Sequence, residues 1–151
     1  MSALLRTAQQ VVIVERRQFA LCDGAAPNGD GPWQLPDRDV NDGLSVNNAG
    51  VMVASTVPMH DVDVQIELWN GEPSRVGEKP IGEVLLRLPS GTLTAWAVPH
   101  GPAGEPLEMD GIGVYSVRVY RRGGGEEAIT RQKQGIFSDL ESYVVQAWRR
   151  P

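Results

Sequence analysis

"DVDVQIELW", Asp61–Trp69, alternates without a break between two kinds of residue. Side chains along a strand point in turn to opposite faces, so Val62, Val64, Ile66 and Leu68 share one face and Asp61, Asp63, Gln65, Glu67 and Trp69 the other. The first face is apolar throughout and faces a core. The second carries three carboxylates, with no basic residue between Asp61 and Ser74. A period of two rather than 3.6 makes this a half-buried strand, which needs a second layer on its apolar side.

Working outward, the same period recurs. "GVMVAST", Gly50–Thr56, reads as a short apolar strand, and "LESYVVQAW", Leu140–Trp148, as a final one. "GEVLLRLPSGTLTAWAV", Gly82–Val98, reads as a hairpin turning at Pro89, Ser90 and Gly91, with Val84, Leu86 and Leu88 paired to Leu93, Ala95 and Ala97. In "GIGVYSVRVYRRG", Gly111–Gly123, Tyr115, Val117 and Val119 form a core face, and Ser116, Arg118 and Tyr120 the opposite one. Gly113 two residues ahead of Tyr115 matches the corner tyrosine of immunoglobulin-like sandwiches, whose hydroxyl bonds back to the preceding loop. "VVIVERRQFAL", Val11–Leu21, reads as the first strand, after an N-terminal segment without a clear pattern. Cys22–Gly43 is a long loop dense in Gly, Pro, Asn and Asp, with Trp33 as its anchor. Gly123–Gly125 read as a flexible tip, followed by one helical turn around Glu126–Arg131.

Seven to nine short strands, no long helix and no heptads predict an all-β, antiparallel sandwich or jelly roll. The 17 Gly and 11 Pro, about a fifth of the chain, supply its turns. At 151 residues the chain is the size of one domain, 1–151.

The net charge of −5 is uneven, with seven basic and four acidic residues from Arg118 onward and an acidic body before it. Such a body repels nucleic acid, whose phosphates are bound through Lys and Arg, and suits a basic protein partner. The single cysteine, Cys22, forms no internal disulfide and fits a reducing compartment. Arg6, Gln9 and Gln10 interrupt the apolar start, which lacks the pattern of a signal peptide, and no run approaches the 18 apolar residues of a membrane span. The expectation is a cytoplasmic protein that does not meet a membrane.

"DRDVNDG" places Asp37, Asp39 and Asn41 at alternate positions before Gly43, like the first half of a calcium loop. Asn48 stands where such a loop needs a bidentate Glu, so a solvated turn is the competing reading. His60 and His100 flank turns without the spacing of a zinc site and read as exposed loop residues. No Gly-x-Ser-x-Gly element or phosphate loop occurs, no catalytic residue stands out, and no cofactor is implied. Trp69, Trp96, Tyr120 and Trp148 fall opposite the apolar stripes. Aromatics with arginine are what binding surfaces use, but a covered second face would place them the same way.

Gln18 and Phe19 near the end of the first strand, Trp33 in the next loop, "Gly-Val-x-Val" at Gly50–Val53, and the Leu88–Leu93 "LPSGTL" turn form a set with "GVYSVRVYRRG" and "ESYVVQAW". Together they resemble the competence protein J type, small bacterial β-sandwich proteins of which one inhibits a DNA-entry nuclease. The resemblance spans about 11–149 and implies a protein that binds and blocks a partner; no inhibitory residue of that type maps onto a position here.

The expected function is therefore a non-catalytic binding protein, a nuclease inhibitor or immunity-like protein. Its partner-binding set is Asp61, Asp63, Glu67, Trp69, Arg118 and Tyr120, with the carboxylates standing in for phosphates before a basic cleft. The alternative is a calcium- or carbohydrate-binding sandwich, with sugar on Trp69 or Trp96. For Arg118 a structural role competes, as an ion pair across the sheet with Glu67 or Glu141.

Overall fold

The computed structural model describes residues 2–25, 38–41, 43–46, 50–74, 77–98 and 100–150, with only the backbone at 38–41. Two mostly antiparallel sheets pack face to face, as the all-β sandwich reading predicts. The five-stranded sheet runs β1 (Leu4–Val14), β6 (His60–Trp69), β12 (Glu141–Arg149), β11 (Gly113–Gly123), β7 (Gly82–Leu88). The other runs β10 (Leu107–Glu108), β8 (Thr92–Ala97), β2 (Gln18–Asp23), β5 (Gly50–Ala54), β4 (Leu44–Val46), β3 (Arg38–Asn41), with β9 (Gly101–Pro102) also on β8. One junction departs from the antiparallel rule: β12 lies parallel to β6, Val145 opposite Ile66. Strands of two to four residues raise the number above the seven to nine expected.

The alternating stripes do become the core. Val62, Val64, Ile66 and Leu68 from β6, Val84, Leu86 and Leu88 from β7, and Tyr115, Val117 and Val119 from β11 are buried against Phe19, Leu21, Leu93 and Ala95 of the opposite sheet. Phe19 meets Tyr143 edge to face, with ring centroids 4.9 Å apart. At the corner into β11 the Tyr115 hydroxyl donates to the Gly111 carbonyl at 2.7 Å, the bond that the Gly113–Tyr115 spacing predicts. Tyr115→Phe removes it while keeping the ring, and is expected to cost about 1 kcal/mol in urea unfolding at pH 7. An unchanged midpoint would show that the bond contributes nothing.

Three connections differ from the sequence reading. Gly82–Val98 is not a hairpin: β7 and β8 lie in different sheets, so Val84, Leu86 and Leu88 join the same core as Leu93, Ala95 and Ala97 from different sheets and do not pair with them along a ladder. Val11–Leu21 is likewise divided, because Arg16 and Arg17 take left-handed conformations, φ 55° and 64°, and send the chain from β1 into β2 of the other sheet. The N-terminal segment without a clear pattern is the first seven residues of β1.

The glycine tip is held rather than flexible. Gly123, Gly124 and Gly125 all have φ near 80°, and a Cβ on Gly124 would lie 2.7 Å from a Glu141 carboxylate oxygen. Only glycine combines that backbone with that approach. The chain then enters α1 (Gly125–Lys133), nine residues where a single turn was expected, with Glu126 and Glu127 in its first turn and Arg131 and Lys133 in its last. Ala128 packs it onto Val57 and Leu140. Among the described residues, no helix is long and apolar enough to cross a membrane.

Candidate partner-binding face

The outer face of the five-stranded sheet is half covered and half open, and this division sorts the expected partner-binding residues. On the covered half, Arg118 is fully buried. Its Nε donates to Glu83, directly opposite on β7, at 3.0 Å; its Nη2 donates to Glu72 at 2.7 Å and its Nη1 to the Pro73 carbonyl at 3.1 Å. Its guanidinium also stands 4.8 Å from the Trp148 ring centroid. The segment after β6 is thereby tied down over the sheet. Arg118 thus has the structural ion-pair role, but with Glu72 and Glu83 rather than Glu67 or Glu141.

Tyr120, on the same face, is also fully buried, and Trp148 nearly so. Glu67 is 8% exposed, not outward as expected. It accepts hydrogen bonds from the Trp69 indole at 2.9 Å and from Gln65 at 2.6 Å, and Gln146 of β12 stands beside it. Trp69 is half-buried and oriented by that bond. Glu67, Arg118 and Tyr120 therefore sit inside the protein: the covered second face, and not a free surface, accounts for the aromatics there.

On the open half, Asp61 and Asp63 remain exposed. They stand opposite Ile13 and Val11 of β1, which are 46% and 58% exposed. Alternate positions on one strand set the two carboxylates about 6–7 Å apart. Met59 and Phe137 expose apolar surface at the end of the strand, where the Asp61 amide donates to the Phe137 carbonyl at 2.7 Å. Beside Asp63 opens a groove of about 320 Å³, lined by Arg122, Asp139, Glu141 and Ser142 among others. Arg122 is paired with Glu78 at 3.1 Å, which leaves Asp61, Asp63 and Asp139 to set a negative potential.

A second polar constellation lies beneath the floor of this groove. Ser55 and Thr56 follow β5, His60 opens β6, and Glu141 and Tyr143 open β12. Glu141 Oε1 accepts from Ser55 Oγ at 2.6 Å and from Tyr143 Oη at 2.8 Å, while Oε2 accepts from the Thr56 amide at 2.9 Å and from the Thr56 hydroxyl. His60 Nε2 lies 2.9 Å from Ser55 Oγ and 3.4 Å from Glu141. Burial raises the Glu141 pKa, but the bonds from His60, Ser55 and Thr56 outweigh it and hold the carboxyl at about 2 instead of 4.5. Burial first, and then the Glu141 charge, push the Tyr143 phenol well above its usual range.

Serine, histidine and glutamate in contact suggest a triad, but the order is wrong. The serine oxygen bonds the carboxylate directly instead of through the imidazole, and the His60 and Glu141 side chains have no exposed surface. The cluster joins two sheets and the entrance to α1, where the Gly125 amide donates to Thr56 Oγ1 at 2.8 Å. Cys22 is buried as well, and burial, with Asp23 beside it, raises its thiol to about 12, far from a thiolate nucleophile. His60 is thus not the exposed loop residue expected, whereas His100 is exposed and meets Glu15 at 2.9 Å.

Extending the alternation of Asp61–Trp69 back by one residue already puts His60 on the inward face with Val62. The same parity in "ESYVVQAW" puts Glu141 inward with Tyr143 and Val145. Of the calcium positions, Asp37 lies outside the described residues, as do the side chains of Asp39 and Asn41, whose backbone runs in β3 opposite β4. Trp33 and most of the Cys22–Gly43 loop also lie outside them.

The fold and the site define a two-sheet β-sandwich with an internally bonded polar cluster and one open sheet face, acidic and apolar together. No protein-family profile matches the chain, and no curated protein matches it. Two solved structures are similar. ComJ from Bacillus subtilis, an inhibitor of the DNA degrading activity of NucA, aligns over 99% of both chains with a TM-score of 0.59 and 14% identity. The product of crocagin biosynthetic gene J aligns over 97% of this chain and 100% of its own, with a TM-score of 0.57 and 15% identity. At such identities the likeness is one of fold, and at that level it agrees with the competence protein J resemblance.

Proposed function

We propose that this protein is a non-catalytic inhibitor that binds a basic nuclease through the open half of its five-stranded sheet. The observation that carries the reading is the exposed pair Asp61 and Asp63, flanked by exposed Val11 and Ile13. Carboxylates on a rigid strand keep the spacing of their charges without an ordering cost, and they face a phosphate-binding cleft as phosphates would. The apolar neighbours supply the desolvated contact that a charge pair alone lacks. The ComJ fold, in a protein that inhibits NucA, supports a protein partner of this kind. Glu67, Arg118 and Tyr120 lie buried on the covered half beside this face and take no direct part, and Trp69 borders it.

The test is a DNA-degradation assay on a nuclease recovered from cell extract with the wild-type chain as bait. Wild-type protein is expected to suppress the activity, less so at high salt. Asp61→Lys with Asp63→Lys is expected to weaken suppression on the order of 100-fold, because two attractive charges become repulsive. Equal suppression by the variant would remove this face, and failure to suppress any recovered nuclease would sink the inhibitor reading.

A further inference from the structure

Among the described residues the two sheets end on four strands, and β1 is the longest of them. In the five-stranded sheet, β7 presents Glu83, Leu85 and Arg87 to solvent, and the two charges flanking its apolar side chain discourage a further strand. In the other sheet the outermost strands are short, two residues in β10 and four in β3. Strand β1 is eleven residues long, and among the described residues no strand pairs with its second edge. Its one charge, Arg6, donates to the carbonyls of Glu108 and Met109, at 3.1 Å each, on the side of the other sheet. From Thr7 to Val14 there is no charge, proline or glycine. An edge uncharged from Thr7 to Val14, with exposed Val11 and Ile13 on it and exposed Leu5 just before it, is a template for another strand.

The sequence of the strand points to the occupant. A two-fold axis perpendicular to the sheet pairs residues of the same face, so the register must centre on a residue. Strand Leu4–Val14 has Gln9 at its middle. Centred there, the exposed face pairs with itself: Gln9 stands opposite its own copy, Thr7 opposite Val11, and Leu5, at the irregularity between Leu4 and Arg6, comes beside Ile13. Apolar meets apolar at both ends, β-branched meets β-branched inside them, and on the axis two Gln9 amides meet, each donating one N–H to its own Gln65 at 2.8 Å and having a second N–H and an oxygen that can bond the copy. In a chain of net charge −5, this strip is also where a second copy approaches without facing like charge.

We propose that two copies of this chain associate through antiparallel pairing of their β1 edges about Gln9, making one sheet that runs through both. The outer faces then join, so that the Asp61 and Asp63 pairs of both copies lie on one continuous surface.

The proposal is tested without any nuclease, so its outcome is separate from that of the inhibitor reading. Sedimentation equilibrium is expected to give twice the chain mass of 16.4 kDa at micromolar concentration. Gln9→Lys sets two ammonium groups opposite each other on the axis and is expected to return the mass to one copy, with the circular dichroism spectrum unchanged. Gln9→Cys gives a decisive second reading, since Cys22 is buried. Directly opposed strand residues have Cα atoms about 4.5–5.5 Å apart, inside the range a disulfide spans. Mild oxidation is expected to link most chains into pairs. A wild-type mass of one copy, or a double mass with Gln9→Cys left unlinked, overturns the proposal. So does a Gln9→Lys variant that remains paired.

Discussion

Glu141→Ala is expected to lower the unfolding free energy by about 3–5 kcal/mol, a large share of a typical total of roughly 5–15. The carboxylate accepts from Ser55, Tyr143 and both the amide and hydroxyl of Thr56; the Ser55 and Tyr143 donors are buried and have no water to turn to when it is gone, whereas Thr56 is half-buried. Each orphaned donor carries its own desolvation cost of roughly 1–3 kcal/mol, partly relieved where a hydroxyl can rotate. Glu141→Gln keeps the shape but sets an NH₂ group against donors, and is expected to cost less than Ala and more than a surface change. Urea unfolding measures both, as a lower midpoint at unchanged slope. If Glu141→Ala moves the midpoint no more than Tyr115→Phe does, the cluster does not join the sheets as described.

The same carboxylate gives a pH signature. Its pKa is about 2 in the folded protein, against an ordinary value of 4.5, so the unfolded chain takes up its proton first as pH falls. The stabilisation is whole above about pH 5 and fades toward pH 2, by about 3 kcal/mol in all. His60 and Tyr143 stand against the group, and Arg121 lies near Tyr143. Glu141→Gln is therefore expected to flatten the acid limb of the stability curve. Parallel curves for variant and wild type between pH 5 and 2.5 would assign acid sensitivity to other carboxylates.

The two residues at the centre of that cluster show where sequence reading stops. Period two places His60 and Glu141 on inward faces, so their burial is local information. That they meet each other and Ser55 depends on β12 lying parallel to β6, a pairing between segments some eighty residues apart with no mark in either. The turn at Pro89–Gly91 is misread for a related reason. A tight turn looks alike whether the chain returns along the same sheet or crosses to the facing one, and only the second sheet's demand for β8 decides. The stripes Val62–Leu68 and Val117–Val119 needed no such knowledge, because a half-buried strand must alternate whatever its neighbours. Asp61 and Asp63 stayed outside and Glu67, on the same face, did not. The difference lies in the covering segment after β6 and in Gln146 and Trp148 from β12, none of which the nine residues of the strand can indicate.

Arg118 yields an expectation that runs against the usual rule for buried ion pairs. Removing one partner of such a pair commonly costs about 3–5 kcal/mol because the other charge is left buried and unpaired. Here the pair is lopsided: the Arg118 side chain has no exposed surface, whereas Glu72 and Glu83 are 63% and 40% exposed. Arg118→Met leaves two carboxylates that water can reach and keeps an unbranched stem against Trp148. Its cost is then chiefly the lost bond to the Pro73 carbonyl and the loosened segment above it, about 2 kcal/mol. Glu72→Gln with Glu83→Gln does the reverse, stranding a guanidinium that cannot shed its proton in a site closed to solvent. The double variant is expected to lose about 3–5 kcal/mol in urea unfolding, and so more than Arg118→Met. Combining all three changes should recover part of that loss, since no charge is then left alone. An Arg118→Met variant less stable than the double glutamine variant would mean that the arginine acts through its packing over Trp148 rather than through its charge.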